Sequence, residues 1–193
     1  VVTDGTPVYQ QGGTSSDARA LAGSSSWTNY TVTTRVKPTA VNGSNRFVAV
    51  LARVQSSTSY YYVALRSSNT VELKKLVNGS STTLASASIT FSLNTWYTLS
   101  LQVTGSTLRG TVNGGTLLTA TDTQYTSGRI GVATFYASAR FDDVLVDSST
   151  TPPPTPPPPV TSSPTTGPTS PPPGGTIYVS PNGTDSAPGT QSN

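Results

Sequence analysis

An all-β fold, an antiparallel β-sandwich or jelly roll, is predicted for the first 150 residues on three observations. Short runs rich in Val, Thr, Leu and aromatics recur about every eight to twelve residues, each bounded by Gly, Asn or Ser. No window carries the apolar spacing of a long amphipathic helix. Asn78-Gly79, Thr104-Gly105-Ser106 and Asn113-Gly114-Gly115 fall between such runs and are strong hairpin signals. Antiparallel strands joined by short turns must bury one face against a second sheet, hence a sandwich.

In chain order, strands are expected at residues 8–10, 30–36, 47–53, 60–66, 71–77, 83–87, 96–103, 108–112, 117–121, 129–134 and 140–146. Residues 151–175 then hold twelve prolines among Thr, Ser and Gly. Proline fixes φ and donates no hydrogen bond, so this stretch is expected to be a disordered, extended polyproline linker that packs on nothing. Residues 176–193 read as a short β stub: Ile177-Tyr178-Val179 is strand-like, and Pro181-Asn182-Gly183 and Pro188-Gly189 are turns. The three expected regions are therefore 1–150, 151–175 and 176–193.

Composition excludes several chemistries. The chain has no Cys and no His, and Glu72 is its sole glutamate, so thiol catalysis, the usual zinc sites, Ser-His-Asp triads and a glutamate pair are ruled out. No apolar run is long enough for a membrane span, and no membrane partner is expected. Before residue 150, eleven basic residues face seven acidic ones, a formal charge of +4. This bias favours anionic partners, yet the cations are scattered through strands without a nucleic-acid motif, so nucleic acid is not expected. A monomer is expected.

Two resemblances refine this reading. The segments Arg46-Phe-Val-Ala-Val-Leu-Ala-Arg53, Tyr60-Tyr-Tyr-Val-Ala-Leu-Arg66, Val71-Glu-Leu-Lys-Lys-Leu-Val-Asn-Gly79, Thr95-Trp-Tyr-Thr-Leu-Ser-Leu101, Leu108-Arg-Gly-Thr-Val-Asn-Gly114, Gly128-Arg-Ile-Gly-Val132 and Phe141-Asp-Asp-Val-Leu-Val146 resemble, in their order, concanavalin-like (laminin-G-like) jelly-roll carbohydrate-binding modules. Such modules commonly begin with a Phe-Glu-Asp-Gly type strand; no such motif is present, and the first strand is expected to be missing. The stub Tyr178-Val-Ser-Pro-Asn-Gly-Thr-Asp-Ser-Ala-Pro-Gly-Thr190 resembles the opening of the right-handed β-helix of secreted bacterial pectate lyases. That implies a secreted, extracellular parent that cleaves polygalacturonate by β-elimination with catalytic Ca²⁺, all of that machinery lying beyond Asn193.

The candidate binding face comes from strand register. If residues 55–59 and 67–70 are hairpin connections, Arg53 faces Tyr60, Leu51 faces Tyr62, Phe47 faces Arg66, Arg66 faces Val71 and Tyr62 faces Lys75. Period two then puts Arg53, Tyr60, Tyr62, Arg66 and Lys75 on one face, sharing it with Phe47, Leu51 and Leu73, and puts Val48, Val50, Ala52, Tyr61, Val63 and Leu65 in the core. Flat aromatics beside cations suit an acidic sugar, since rings stack on a pyranose and Arg pairs bidentately with a carboxylate. The alternative is that these rings pack structurally; a one-residue slip exchanges the faces. Trp27 and Trp96 are the alternatives as sugar-stacking platforms, and the polar run Ser24-Ser-Ser-Trp-Thr-Asn-Tyr30 is compatible with exposure of Trp27; both are read as structural, Trp27 as an anchor for the strand after it.

Asp142 and Asp143 are adjacent on one strand and point to opposite faces, which excludes a glycosidase pair without a bulge. The jelly-roll resemblance implies a structural Ca²⁺ with Asp142 or Asp143 as ligands and Asp4 or Asp17 as others. Glu72, Asp122 and Asp147 show no convergent spacing. The expected function is a non-catalytic module that binds polysaccharide, an acidic pectic glycan, for a secreted pectate-lyase-like enzyme. The alternatives are a jelly roll that is itself a polysaccharide lyase and a glycan-independent adhesion or spacer domain.

Overall fold

The computed structural model describes residues 2–148, which form thirteen strands and, among the described residues, no helix. The linker and stub expected at 151–175 and 176–193 lie outside the described residues. The strands are β1 (Val2–Asp4), β2 (Thr6–Gln11), β3 (Asp17–Ala22), β4 (Tyr30–Val41), β5 (Phe47–Ser56), β6 (Ser59–Arg66), β7 (Thr70–Val77), β8 (Ser80–Ser88), β9 (Tyr97–Thr104), β10 (Thr107–Val112), β11 (Gly115–Thr121), β12 (Arg129–Phe135) and β13 (Ala137–Asp147). All eleven expected strands are present. β1 and β3 are additional; β3, Asp-Ala-Arg-Ala-Leu-Ala, has no β-branched residue and is a strand only because it pairs with β12 at a sheet edge.

Two antiparallel sheets face each other, one ordered β1-β2-β13-β4-β9-β10-β11 and the other β3-β12-β5-β6-β7-β8. Between them lies the main core. Every second residue of β4 and β9 enters it, with Val32, Val36, Leu99 and Leu101 fully buried. From the facing sheet come Val48, Val50, Ala52, Tyr61, Val63 and Leu65, the set the sequence alternation assigns to the core. The turns have the expected chemistry. Asn78-Gly79 and Asn113-Gly114 both adopt positive φ at their two central positions and close two-residue hairpins, whereas in Gly105-Ser106 the glycine does so.

The six-stranded sheet is unusual in its centre, where β5 and β6 are buried on both faces. A second apolar cluster of Ala49, Leu51, Val54, Tyr60, Tyr62, Ala64 and Ala133 occupies the face turned away from the other sheet. It exists because long side chains fold over small ones. Phe47 stacks on Phe135 at 5.1 Å, Phe47 meets Tyr62 at 5.8 Å, and Tyr60 meets Tyr62 edge-on at 5.5 Å. Each such ring pair contributes about 1 kcal/mol beyond its area burial.

Two register details depart from expectation. First, Arg66 faces Thr70, not Val71, because the β6–β7 connection is three residues long and ends on Asn69 in the left-handed region (φ 60°). Every β7 residue therefore moves to the opposite face: Tyr62 faces Lys74, Lys75 faces Tyr61, and Leu73 enters the main core. Second, the β5–β6 pairing breaks after Ala52–Tyr61 and resumes at Ser56–Ser59, so four steps along β5 oppose two along β6. Arg53 lies in this bulge at φ 48° and does not face Tyr60.

Gly128 seals the bulge. Its φ is +144°, and a Cβ there would fall 2.4 Å from the Arg53 carbonyl carbon and 2.7 Å from its Cα. Backbone cannot yield as a flexible side chain can. Gly128→Ala is expected to destabilise the domain by about 2–4 kcal/mol, read as a lower urea midpoint; a midpoint equal to the parent's would refute the close packing.

Candidate functional site

A groove of about 460 Å³ runs over the outer face of the six-stranded sheet. The rows beneath it follow from register. Ala133, Ala49 and Ala64 lie directly opposite one another on β12, β5 and β6, flanked by Arg19 on β3 and Glu72 on β7. The three alanines are buried, covered by the longer side chains around them, and it is those longer side chains that line the groove. One neighbouring row carries Asp17, Phe135, Phe47 and Arg66; the other carries Leu51, Tyr62 and Lys74.

The polar groups of the groove are tied to one another. Glu72 Oε2 accepts from Arg66 Nη1 at 3.2 Å and Lys74 Nζ at 3.0 Å; Lys74 also donates to Thr83 Oγ1 at 2.8 Å and Arg66 to the Asn45 carbonyl at 3.1 Å. Arg19 reaches across the alanines, donating from Nε to the Tyr60 hydroxyl at 3.1 Å and pairing with Asp17 at 2.5 Å. Arg66 also lies 5.7 Å from the Phe47 ring centre. Tyr60 and Tyr62 are each only 4 % exposed, so the groove shows ring edges and hydroxyls, not open ring faces. Burial, with the neighbouring Tyr60, pushes the Tyr62 hydroxyl up to about 12.

The domain that carries this groove matches a known family. Residues 6–149 match the family described as galactocerebrosidase, C-terminal lectin domain. The chain belongs to this lectin-domain family. No curated protein matches the chain. Among solved structures, a carbohydrate binding module, CBM66, from Bacillus subtilis superposes with a TM-score of 0.64 at 20% identity, covering 72% of this chain and 86% of that one. A Bacillus subtilis protein of unknown function with a galectin-like fold gives 0.52 at 12% identity, over 72% and 79%. The alginate lyase AlgAT5 of polysaccharide lyase family 7 gives 0.50 at 16% identity, over 68% and 63%. At these identities the likeness establishes the fold alone.

Within this lectin-family domain, the residues expected on one face divide. Tyr60, Tyr62 and Arg66 line the groove together. Arg53 does not: its bulge turns the guanidinium into the protein, where it is 1 % exposed and donates to the Thr28 carbonyl (3.0 and 3.2 Å) and the Tyr125 carbonyl (2.7 Å). Burial holds its pKa below the usual arginine value. Lys75 is likewise off the groove, moved by the one-residue slip, and pairs with Asp122 at 2.5 Å. The groove residues missed are Lys74, Glu72, Arg19, Asp17 and Phe135. Lys74 and Glu72 needed the correct loop length; Arg19 and Asp17 needed β3, which has no strand signature.

The aspartates considered for calcium are engaged elsewhere. Asp142 accepts from the Thr6 hydroxyl at 2.9 Å, and Asp143 sits in a β13 bulge at φ 48° with Arg35 3.3 Å away. Asp4 pairs with Lys37 and with Arg140, and Asp17 with Arg19. Among the described residues no group of three or more acidic side chains converges. Trp96 precedes β9 and is half-buried, with Arg35 and Lys37 at 4.7 and 5.0 Å from its ring.

Asp122 is the residue whose convergence only the fold reveals. It accepts from Tyr61 Oη at 2.6 Å, Lys75 Nζ at 2.5 Å and the Gln124 amide at 2.9 Å. Burial acts to raise its pKa, but these three donors outweigh it and hold the carboxyl below its usual value. A depressed folded-state pKa contributes stability above the unfolded carboxylate range, lost as pH falls through the folded value. Asp122→Asn should therefore lower the urea midpoint at pH 7 and flatten its decline as pH falls below the ordinary aspartate value of about 3.9. A variant with the parent's pH profile would show that Asp122 does not carry this linkage.

Proposed function

We propose that the domain is a non-catalytic carbohydrate-binding module that takes a glycan into the groove of the six-stranded sheet. The observation that carries this reading is a groove in which Phe47, Tyr60, Tyr62 and Phe135 stand beside Arg66 and Lys74, both already paired with Glu72, in a chain of a lectin-domain family. Fixed donors and acceptors meet sugar hydroxyls without first being ordered, and apolar edges meet the C–H patches of a pyranose.

The reading extends to an acidic pectic ligand. Arg19, Arg66 and Lys74 against Asp17 and Glu72 leave the groove one positive charge, and the domain as a whole is cationic. The pectate-lyase-like stub at 176–193 supports the same substrate and a secreted parent enzyme, for which the module would raise the local concentration at a cell-wall surface. The non-catalytic part rests on the groove chemistry. A Tyr62 hydroxyl pushed up to about 12 supplies no phenolate at neutral pH, and the groove carboxylates are held by cations.

In affinity electrophoresis with polygalacturonate, Arg66→Ala and Lys74→Ala should each weaken retention roughly fivefold, about 1 kcal/mol, and the parent's affinity should fall as salt rises. Tyr62→Phe keeps the ring and tests the hydroxyl alone. Unchanged retention in the folded Arg66 and Lys74 variants would remove the groove as the site; retention on a neutral glucan that exceeds that on polygalacturonate and is weakened by Arg66→Ala would remove the uronate assignment. Separately, the purified chain should release no ultraviolet-absorbing unsaturated products from polygalacturonate or alginate. Product formation abolished by Tyr60→Phe or Tyr62→Phe would make the jelly roll itself a lyase.

A further inference from the structure

A second concave surface shares no lining residue with the groove. It is a cleft of about 480 Å³ around Trp27, bordered by Ser26, Thr28, Asn29 and Val146. Trp27 is 38 % exposed, though it lies in a segment fixed from several directions. Its amide donates to the Ser24 carbonyl at 3.3 Å and its carbonyl accepts from the Gly128 amide at 2.9 Å. The next carbonyl, of Thr28, is held by the Arg53 guanidinium, and the Asn29 side chain accepts from the Gly105 amide at 2.9 Å. β5, the β9–β10 turn and the connection before β12 thus all grip residues 27–29.

The indole itself is seated as firmly. It lies against Gly23, where a Cβ would come within 2.4 Å of the ring, and meets Tyr30 edge-on at 6.1 Å. Gly23 has φ +83°, so both its conformation and its missing side chain make room for the ring. Anchoring the following strand requires only the buried edge of such a ring. Trp27 nonetheless stays more than a third exposed, and a ligand that covers a side chain held in place in this way meets little ordering cost on the protein side.

We infer that the Trp27 cleft is a second glycan subsite, which stacks an uncharged pyranose on the indole. The class of ligand follows from the lining. Hydroxyl and amide groups of Ser26, Thr28, Asn29 and Ser148 border the indole, and the one ionisable side chain among the described lining residues, Tyr30, has its hydroxyl engaged with the Gly128 carbonyl at 3.1 Å and the Arg53 amide at 2.7 Å. Among the described residues no charged side chain lines the cleft, so a uronate would lose hydration without compensation there, whereas a neutral sugar offers a C–H face to the ring and hydroxyls to the rim. Arg53 is a positioning residue here, acting through Thr28.

The chain has two tryptophans, which makes the test direct. In a Trp96→Phe background Trp27 is the reporter; cellohexaose and galactohexaose are titrated as neutral probes and polygalacturonate as the charged control. The expected result is a saturable shift of Trp27 emission with at least one neutral probe, a retention on the matching neutral polysaccharide weakened about tenfold by Trp27→Ala, and no effect of Arg66→Ala on either. If Trp27→Ala does not fold, the Trp96→Phe titration decides alone, with Trp27→Phe as the matched folded variant for retention. Emission unmoved by both neutral probes, or unmoved retention in the folded Trp27 variant, overturns the inference. Because Arg66→Ala reads the groove and Trp27 reads the cleft, either site can fail without the other.

Discussion

The buried guanidinium of Arg53 is the interaction on which the functional end of this domain depends. A charge that is 1 % exposed is costly unless its donors are satisfied, and here backbone carbonyls of Thr28 and Tyr125 do so. Hydrogen bonds from a charged donor contribute about 1.5–3 kcal/mol each, which offsets burial and the left-handed backbone at φ 48°. The consequence is mechanical. Two connections, 24–29 and 122–128, are fastened to the central strand β5. Gly128 and the Tyr30 hydroxyl complete the lock, both lying against the Arg53 backbone.

A neighbouring network closes the same connection from the other side. Tyr61 donates to Asp122, Lys75 pairs with it, and the Tyr61 hydroxyl also accepts from the Tyr125 amide at 3.1 Å. The Tyr61 and Tyr125 rings meet edge-on at 5.2 Å, and Tyr125 donates to the Leu76 carbonyl at 2.7 Å. Residues on the inward side of β6 and β7 therefore organise loops, while those on the outward side form the groove. Adjacent residues serve opposite purposes: Lys74 joins Glu72 in the groove, and Lys75 joins Asp122 behind it. Beneath the groove, Ala49 and Ala64 are fully buried, so a larger side chain at either would have to displace the residues packed over it.

The strands, the turns at Asn78-Gly79 and Asn113-Gly114, and the core set on β5 and β6 were legible because period two and turn chemistry are local properties. Tyr60, Tyr62 and Arg66 were legible as one face for the same reason, and they share the groove. Lys74 was not, since the difference between a three- and a four-residue loop is set by the left-handed geometry at Asn69, and one step exchanges faces. β3 was hidden because Asp-Ala-Arg-Ala-Leu-Ala has no intrinsic strand preference and owes its conformation to β12. With β3 hidden, Arg19 and Asp17 had no place.

Sequence by itself determined the sandwich class, the strand succession and the exclusion of histidine, thiol and paired-glutamate chemistry, since each depends on composition or on neighbours a few residues away. Only the tertiary structure decided where the charges go. It sent Arg53 inward through a bulge, paired Glu72 with Arg66 and Lys74, brought Asp122 to Tyr61 and Lys75 across 61 and 47 residues, and left Trp27 partly exposed. The reason is that bulges, loop register and edge pairing are settled by the balance of packing over the whole sheet, and that balance is not written in any local run of residues.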